Sequence, residues 1–222
     1  HGYNIHYGFI VPPANVNVVL LAPRMIGMGV RELFLNGSGA PAFIAVHQDA
    51  SGRAKSTVLA IAKAIGATKG GVIESTFAEE TEIDHFLEQA TWPAVLRILT
   101  SSYEVLVEAG YAPEIVCLEL YGSGEAAEVF KAMATIGLFR QMELHSRTSQ
   151  YGQLSRAKRM ISDRIKTRMI KALEEIKLGL FAREWEGERQ LGYPVFNRLK
   201  ERAFEHPLNR VEDRLRKELH QP

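Results

Sequence analysis

The chain has 222 residues, of which 46% are hydrophobic and 24% are charged, with 18 glycines and 9 prolines. This is the composition of a globular protein with one substantial core or two smaller ones, and it excludes collagen-like, disordered and disulfide-stabilised classes. The 27 lysines and arginines nearly balance the 26 aspartates and glutamates, so the overall charge attracts neither nucleic acid nor a membrane surface.

The first third of the chain has an α/β pattern. Residues 16–22 and 41–47 are short apolar runs, rich in β-branched residues and bordered by prolines, which is typical of buried strands. Residues 29–35 and 54–65 carry apolar side chains at helical spacing. The alternation of strand and helix predicts a right-handed, parallel arrangement of the strands.

Helical patterns cover the remaining two thirds. Thr76 and Glu79 form the Ser/Thr-x-x-Glu pattern of a capping box, which predicts a helix start. Another helix is predicted over residues 93–109, where Gly110 provides a left-handed stop. Further helices are predicted over residues 126–135, 161–178 and 196–219. The change of pattern predicts a boundary between an α/β part and an all-α part near residues 70–74.

Cysteine usage and hydropathy indicate the compartment. The single cysteine, Cys117, cannot form an internal disulfide. No apolar run approaches the ~18 residues that suggest a membrane span. We therefore expect a cytoplasmic protein that binds neither nucleic acid nor membranes.

Two carboxylates stand out in the first predicted helix after the boundary. Asp84 and Glu88 are four residues apart, so both side chains point from one helix face. Such a pair suits Mg²⁺, which keeps several waters and commonly takes only one or two protein carboxylates. The same spacing is more often a solvated acidic face, so a magnesium site needs further support.

That support comes from a resemblance. The run STFAEETEID at residues 75–84, followed by Glu88, is similar to the metal-binding helix of ketol-acid reductoisomerase, also called acetohydroxyacid isomeroreductase. Motifs similar to the short form of that family occur in the same order along the chain, including HGYNIHYG at 1–8, QDASGRAK at 48–55 and EAGY at 108–111. The similarity extends to the C-terminus.

The resemblance implies a fold and a domain division. Residues 1–72 correspond to the C-terminal portion of a Rossmann-like nucleotide-binding domain, whose first part would precede His1. Residues 73–222 correspond to an all-helical C-terminal domain, which is knotted in this family. The family's active site is completed across a dimer, so we expect a homodimer or a higher homo-oligomer.

The resemblance also implies an activity. The family carries out a Mg²⁺-dependent alkyl migration in 2-acetolactate-type acids, followed by reduction with NADPH (or NADH) to 2,3-dihydroxy acids in branched-chain amino-acid biosynthesis. The expected ligands are therefore two magnesium ions, a nicotinamide cofactor and a small ketol acid.

The magnesium ligands follow from the family's motifs. Asp84 would bridge both ions, Glu88 would bind one of them, and Glu119 would serve the metals and catalysis. The family has a second glutamate where Ser123 stands, and the next glutamate here is Glu125. In a continuous α-helix Glu125 would point away from Glu119, because six residues turn through about 600°. A break at the glycines on either side of Ser123 would return Glu125 to the metals, and both alternatives stay open.

Three further positions bear on catalysis. Ser146 corresponds to the serine that binds the substrate carboxylate, and His1 to the histidine near the reacting centre. Arg24 stands where the family has a lysine beside the substrate; it keeps the positive charge but cannot release a proton. Leu87 replaces a glycine between the metal carboxylates and adds bulk to the pocket.

The cofactor-binding residues cannot be assigned from the sequence. No Gly-x-Gly-x-x-Gly follows a predicted strand, so these residues would hold the nicotinamide end of a cofactor but not its phosphates. Two rival interpretations remain open. One is a divergent paralogue that acts on another hydroxy-keto acid, and the other is a catalytically silent helical domain that dimerises or binds a partner.

Overall fold

The structure, a computed structural model, describes residues 2–219 and has two compact units. The first unit contains the chain up to Gln89 together with Leu173–Ala182. The second contains Ala90–Ala172 and the chain from Arg183 onward. The predicted division between residues 72 and 73 concerns the family's domains and stays a prediction.

A three-stranded sheet lies in the first unit. Its strands are β1 (Val18–Pro23), β2 (Ala42–Gln48) and β3 (Val72–Glu74), in the order β1-β2-β3. β2 and β3 are parallel. β1 and β2 are antiparallel, with Pro23 opposite Ala42.

The predicted parallel arrangement of the first two strands is therefore wrong. The amide of Arg24, directly after β1, donates to the carbonyl of Pro41, directly before β2, over 2.8 Å. The intervening helix α2 (Gly27–Leu35) is about 13 Å long, shorter than the roughly 20 Å of a six-residue strand. The chain thus re-enters the sheet at the end where it left it. A buried apolar run does not determine the direction of its strand, so the sequence pattern could not predict that β1 and β2 are antiparallel.

Helices pack on this sheet through small and aromatic side chains. The other helices of the N-terminal part are α1 (Tyr3–His6), α3 (Ala54–Ala64), α4 (Ala67–Gly70) and α5 (Phe77–Phe86). α3 buries Ala54, Val58 and Ala62, spaced four residues apart along one face. Phe77, the first residue of α5, packs in a core with Leu20 of β1. This contact anchors the start of α5 on the sheet.

α5 leads into a long helix through a π-helical turn. Thr76 is the N-cap of α5, and its hydroxyl accepts a hydrogen bond from the Glu79 amide at 3.0 Å, which confirms the predicted helix start. The π-helical turn spans Leu87–Thr91 and continues as α6 (Trp92–Glu108). Gly110 adopts a φ of +94° just beyond α6, which confirms the predicted stop.

The rest of the described chain is helical. In order, it contains α7 (Pro113–Cys117), a π-helical turn (Leu118–Gly122), α8 (Glu125–Ile136), a 3₁₀ helix (Arg140–Leu144), α9 (Arg147–Met160), α10 (Arg164–Lys177), α11 (Leu180–Gln190), α12 (Pro194–Phe204) and α13 (Pro207–Glu218). Between residues 77 and 219 no strand occurs. In the part of the chain that the structure describes, no helix combines the length and apolar character needed to cross a membrane.

Two helix predictions in this region need correction. The segment predicted as one helix over 196–219 is two helices, because the His206 ring accepts a hydrogen bond from the Leu208 amide at 3.2 Å and caps α13. Pro207 occupies the first turn of α13, where proline is favoured. The helix predicted over 161–178 begins only at Arg164.

The core of the second unit joins α6, α7 and α13. Its buried members are Tyr103, Val116, Cys117, Leu208, Val211 and Leu215. Leu118, Leu120 and Tyr121 of the adjoining π-helical turn pack against them. The position of this turn is therefore tied to the C-terminal helix.

Candidate active site

One arginine joins two carboxylates on α5. Glu80 and Asp84 are four residues apart on this helix, and Arg24 follows β1 in the chain. The Arg24 guanidinium donates from Nη1 to Glu80 Oε1 at 3.1 Å and from Nη2 to Asp84 Oδ1 at 2.5 Å. The structure thus brings together two of the predicted site residues, Arg24 and Asp84.

Glu80 is the buried member of this cluster. Its side chain is only 1% exposed, and its second oxygen, Oε2, accepts a hydrogen bond from the Gly2 amide at 2.8 Å. Both carboxylate oxygens therefore have a donor. The sequence prediction missed Glu80, although its four-residue spacing from Asp84 is the same signal that identified Asp84 and Glu88.

Arg24 is held in place from several sides. Its amide is bonded to the Pro41 carbonyl, and its guanidinium carbon lies 5.1 Å from the ring centroid of Phe43 on β2. This distance is typical of a cation–π contact. The arginine side chain is 28% exposed and the Asp84 side chain 24%, so solvent reaches the Asp84 end of the cluster.

Glu88 lies in the π-helical turn that follows α5. Its side chain is 61% exposed, and Oε2 lies 3.5 Å from Nδ1 of His85. Partial desolvation and the negative charge of Asp84 raise the pKa of Glu88, while the charge of Arg24 lowers it. Glu88 therefore lies close enough to Asp84 and Arg24 for their charges to affect its pKa.

His85, on the same helix as Asp84, packs among aromatic rings. The residue is buried, and its ring lies 5.3 Å from that of Tyr3 and 5.7 Å from that of Phe181. Burial lowers the pKa of His85, against the opposing charges of Asp84 and Glu80. We therefore expect a neutral imidazole at neutral pH.

The second unit carries the other predicted acidic residues. Glu119 lies exposed in the π-helical turn Leu118–Gly122. Gly124 then adopts a φ of +85°, and Glu125 begins α8 with its amide bonded to Ser123 Oγ at 3.3 Å. Of the two alternatives that the sequence left open, the structure thus has the break around Ser123.

Glu125 faces a cavity of its own. A space of about 360 Å³ is lined by Glu125 together with Glu128, Lys131 and His145. Glu119 is not among the residues that line it. The return of Glu125 to the metal site stays an untested prediction.

Ser146 and His1 complete the predicted set. Ser146 is exposed and is the N-cap of α9, where its Oγ accepts a hydrogen bond from the Ser149 amide at 3.2 Å. This bond fixes the hydroxyl at a helix N-terminus, an environment that favours anions. His1 lies outside the described residues.

The donor set fits part of the implied magnesium site. Within residues 2–219, no three His, Cys, Asp or Glu side chains are grouped closely enough to hold a metal ion. Asp84 and Glu88 are hard oxygen ligands from adjoining turns, and Mg²⁺ commonly takes only one or two carboxylates beside its waters. The chemistry of these two donors fits one ion, and their role as its ligands stays a prediction; Arg24 donates to one Asp84 oxygen.

The starts of α2 and α3 do not fit the phosphates of a dinucleotide. At the first turn of α2, a Cβ placed on Gly29 would lie 2.7 Å from Met25 Cγ, so the Met25 side chain fills the space beside this backbone. At the start of α3, the amides of Arg53 and Ala54 donate to Asp49 Oδ1 at 3.1 Å. Neither helix start offers the open amide cradle that a pyrophosphate needs.

Comparisons with known proteins decide the family. The NADPH-binding domain of acetohydroxy acid isomeroreductase matches residues 1–71, and the ketol-acid reductoisomerase C-terminal domain matches residues 77–221. The second match alone covers more than half of the chain. The chain belongs to the ketol-acid reductoisomerase family. The resemblance inferred from the sequence is confirmed.

Individual members of the ketol-acid reductoisomerase family are similar over nearly the whole chain. This chain is 44% identical to the ketol-acid reductoisomerase (NADP(+)) of Pyrobaculum neutrophilum, over 98% of this chain and 66% of that protein. It is 45% identical to that of Methanopyrus kandleri, over 98% of this chain and 65% of the relative. The chain thus spans slightly less than two thirds of the length of these relatives.

A solved structure supports the fold. The NADH-preferring ketol-acid reductoisomerase from an uncultured archean superposes with a TM-score of 0.92 at 36% identity, covering 98% of this chain and 65% of that one. A small α/β part followed by a mostly helical domain is therefore the family's fold. The names of the relatives include both NADP and NADH, so they leave the cofactor of this protein open.

Proposed function

We propose that the protein is a ketol-acid reductoisomerase. It would convert a 2-acetolactate-type acid by alkyl migration and reduction with NADPH or NADH into a 2,3-dihydroxy acid, in branched-chain amino-acid biosynthesis in the cytoplasm. The observation that carries this proposal is the charged cluster formed by Arg24 and the carboxylates of α5. In it Arg24 donates to Asp84, close to Glu88. It occurs in a chain 44% identical to an enzyme of that name.

Asp84 and Glu88 are the residues that would hold magnesium. When bound, the metal supplies Lewis-acid polarisation of the adjacent oxygens of the ketol acid. Each oxygen of the buried Glu80 already accepts a hydrogen bond, one from Gly2 and one from Arg24, so we assign Glu80 the role of orienting Arg24.

Arg24 contributes a fixed positive charge rather than a proton. The positive guanidinium can stabilise negative charge that develops on substrate oxygens. Any proton transfer in the reaction must use another group.

Residues of the second unit would complete the site in an oligomer. Glu119 would add a metal ligand and Ser146 would bind the substrate carboxylate, supplied across a homodimer of the knotted helical domain. Exposed apolar side chains on this unit support such a partner surface, including Phe139, which is 72% exposed, and Leu144, which is 70% exposed. His1 is proposed beside the reacting centre, and we derive no role for it.

Cofactor binding is not assigned to particular residues. The starts of α2 and α3 lack an open phosphate cradle. We therefore derive no step in which they bind a dinucleotide.

A steady-state assay tests the proposed activity. The purified full-length protein is incubated with 2-acetolactate, Mg²⁺ and either NADPH or NADH, and nicotinamide absorbance is followed. We expect Mg²⁺-dependent oxidation of the nicotinamide that Asp84→Asn abolishes. Glu74→Gln, which removes an exposed carboxylate paired with Lys55 on the same unit, should retain it. Turnover in Asp84→Asn equal to that of the unmodified protein would contradict the proposal.

A second candidate is a paralogue that acts on another hydroxy-keto acid. It is favoured by Leu87 within the π-helical turn and by Ser123 in place of a glutamate, with Glu125 facing a separate cavity. Turnover of another ketol acid, with 2-acetolactate and its ethyl homologue both ignored, would select this candidate. Absence of turnover with every ketol acid, together with absence of Mg²⁺ binding, would leave a catalytically silent helical domain.

A further inference from the structure

A buried glutamine holds the ring of the residue that precedes Ser146. Gln141, in the 3₁₀ helix, is only 3% exposed. Its Nε2 donates to the Leu138 carbonyl at 3.3 Å, and its Oε1 lies 3.0 Å from Nε2 of His145. Buried polar groups are rarely left without a hydrogen bond, so these two contacts fix the orientation of the Gln141 amide.

The same contacts determine which ring nitrogen of His145 carries the proton. Because Nε2 of Gln141 faces the Leu138 carbonyl, its oxygen faces His145, and an amide oxygen can only accept. Nε2 of His145 is therefore the donor, and Nδ1 of the neutral ring is an acceptor. Gln141 thus selects one tautomer and one orientation of this ring.

A second glutamine holds the backbone of His145. Gln150, on α9, donates from Nε2 to the His145 carbonyl at 2.9 Å. Ser146 is the next residue, and its Oγ accepts from the Ser149 amide as the N-cap of α9. Both the ring and the carbonyl of His145 are therefore fixed directly before the capping serine.

The His145 ring also lines a cavity. It borders the space of about 360 Å³ beside α8, together with Val129 and Leu144. If the ring turned away from Gln141, the wall of this cavity would change. The orientation of His145 therefore shapes the surroundings of the residue that follows it.

We propose that Gln141 is a positioning residue for substrate binding. It orients His145, and through His145 it places the Ser146 hydroxyl for the carboxylate of the ketol acid. The inference rests on the proposed function, since it takes Ser146 as the residue that binds this carboxylate. Gln141 acts through its neighbour and does not itself contact the substrate.

Steady-state kinetics of the full-length protein with 2-acetolactate test this role. Gln141→Leu removes both polar atoms at similar volume, and we expect KM to rise roughly fivefold, as the loss of one hydrogen bond predicts. The kcat should be nearly unchanged, because lost substrate binding raises KM alone. A merely structural defect would instead reduce the amount of active enzyme and lower the apparent kcat. Gln190→Leu is the matched control, because Gln190 is exposed on α11 and donates to Glu186. Its KM and kcat should equal those of the unmodified protein.

A double-mutant cycle tests whether Gln141 acts through His145. His145→Leu removes the ring nitrogens, so adding Gln141→Leu to it should raise KM no further. Effects of the two substitutions that multiply would overturn the proposal. An unchanged KM in the single variant Gln141→Leu would overturn it too.

The tautomer of His145 is measured in the unmodified protein, so this test does not depend on the folding of a variant. Nitrogen-15 NMR of histidine-labelled protein at about pH 8, where an ordinary imidazole is neutral, distinguishes the two ring nitrogens. We expect the proton on Nε2 of His145. A proton on Nδ1 would contradict the positioning by Gln141.

Ser146→Ala separates this inference from the proposed function. It should raise KM at least as much as Gln141→Leu does. If Ser146→Ala leaves KM unchanged, the role of Ser146 in the proposed function is wrong and the positioning role falls with it. If Ser146→Ala raises KM while Gln141→Leu does not, only the positioning role is wrong. If the unmodified protein turns over no ketol acid, both are overturned.

Discussion

Two π-helical turns, one in each half of the described chain, carry a predicted magnesium ligand and differ in what supports them. Glu88 lies in the turn Leu87–Thr91, beside the charged cluster of Arg24. Glu119 lies in the turn Leu118–Gly122, which packs on an apolar core. π-Helical turns occur often at functional sites. The comparison teaches that the first turn continues a helix that is held by ion pairs, whereas the second turn is itself packed on a core.

The helix α5, which leads into the first turn, is held by ion pairs of Arg24, so removing Arg24 should have the largest effect. Arg24→Met leaves Glu80 buried without its counter-ion, and we expect a loss of about 3 kcal/mol in the free energy of unfolding. Urea denaturation measures it. Arg31→Met, at an exposed arginine of α2, is the control and should change stability by less than about 0.5 kcal/mol. Equal effects of the two substitutions would show that the charged cluster does not support α5.

The second turn depends on packing, so a single methyl group should disturb it. A Cβ on Gly122 would lie 2.7 Å from Leu215 Cδ2 and 3.1 Å from the Cys117 carbonyl oxygen. We expect Gly122→Ala to cost about 1–3 kcal/mol, because overpacking forces neighbours to shift. Gly152→Ala on α9 meets nothing within 4 Å and should be neutral or slightly stabilising. A stable Gly122→Ala variant in the same denaturation experiment would refute the close-packing account.

A hydrogen bond to α13 also supports the second turn. The Tyr121 hydroxyl donates to Glu212 Oε1 at 2.5 Å. Tyr121→Phe should cost about 1–2 kcal/mol through loss of a charge-assisted bond. An unchanged free energy of unfolding near neutral pH would show that the bond contributes nothing to this turn.

The same bond predicts a pH dependence. Burial and the bond to Glu212 raise the pKa of Tyr121 well above its ordinary value. The stabilisation is therefore present below the unfolded tyrosine pKa of about 10 and is lost as the pH rises toward the folded pKa. Unfolding curves on either side of pH ~10 should bring the unmodified protein and Tyr121→Phe closer together in alkali. A gap that widens there would contradict this sign.

The N-cap of α5 gives the smallest expected effect. Thr76→Ala removes the hydroxyl that accepts from the Glu79 amide, at a cost of about 1 kcal/mol. Thr76→Ser keeps the hydroxyl and should be close to unchanged. If both substitutions destabilise equally, the methyl group rather than the cap supports the start of α5.

Local signals in the sequence predicted helix ends well. Thr76 and Gly110 were identified because a side-chain cap and a left-handed glycine act within a few residues. His206 and Pro207 are a comparable local signal, a capping side chain followed by a proline in the first helical turn. This signal predicts the boundary between α12 and α13. α9, which begins after the cap Ser146, was missed because few apolar residues mark a buried face on it.

Features that depend on tertiary packing were harder to predict. The direction of β1 is set by its pairing with β2 and not by its own residues. Neither π-helical turn has a residue pattern of its own, although the glycines around Ser123 correctly indicated a break. The four-residue spacing indicates Asp84, family motifs indicate both Asp84 and Arg24, and the same spacing also applies to Glu80. The pairing of Glu80 with Arg24 depends on the packing of β1 against α5, so it is visible only in the structure.

The most direct test of the central claim is the position of a bound ion. Crystals of the full-length protein grown with Mn²⁺, used as an anomalous scatterer in place of Mg²⁺, would locate it. We predict a peak in coordination contact with Asp84 and Glu88. A peak only at other residues would contradict the account.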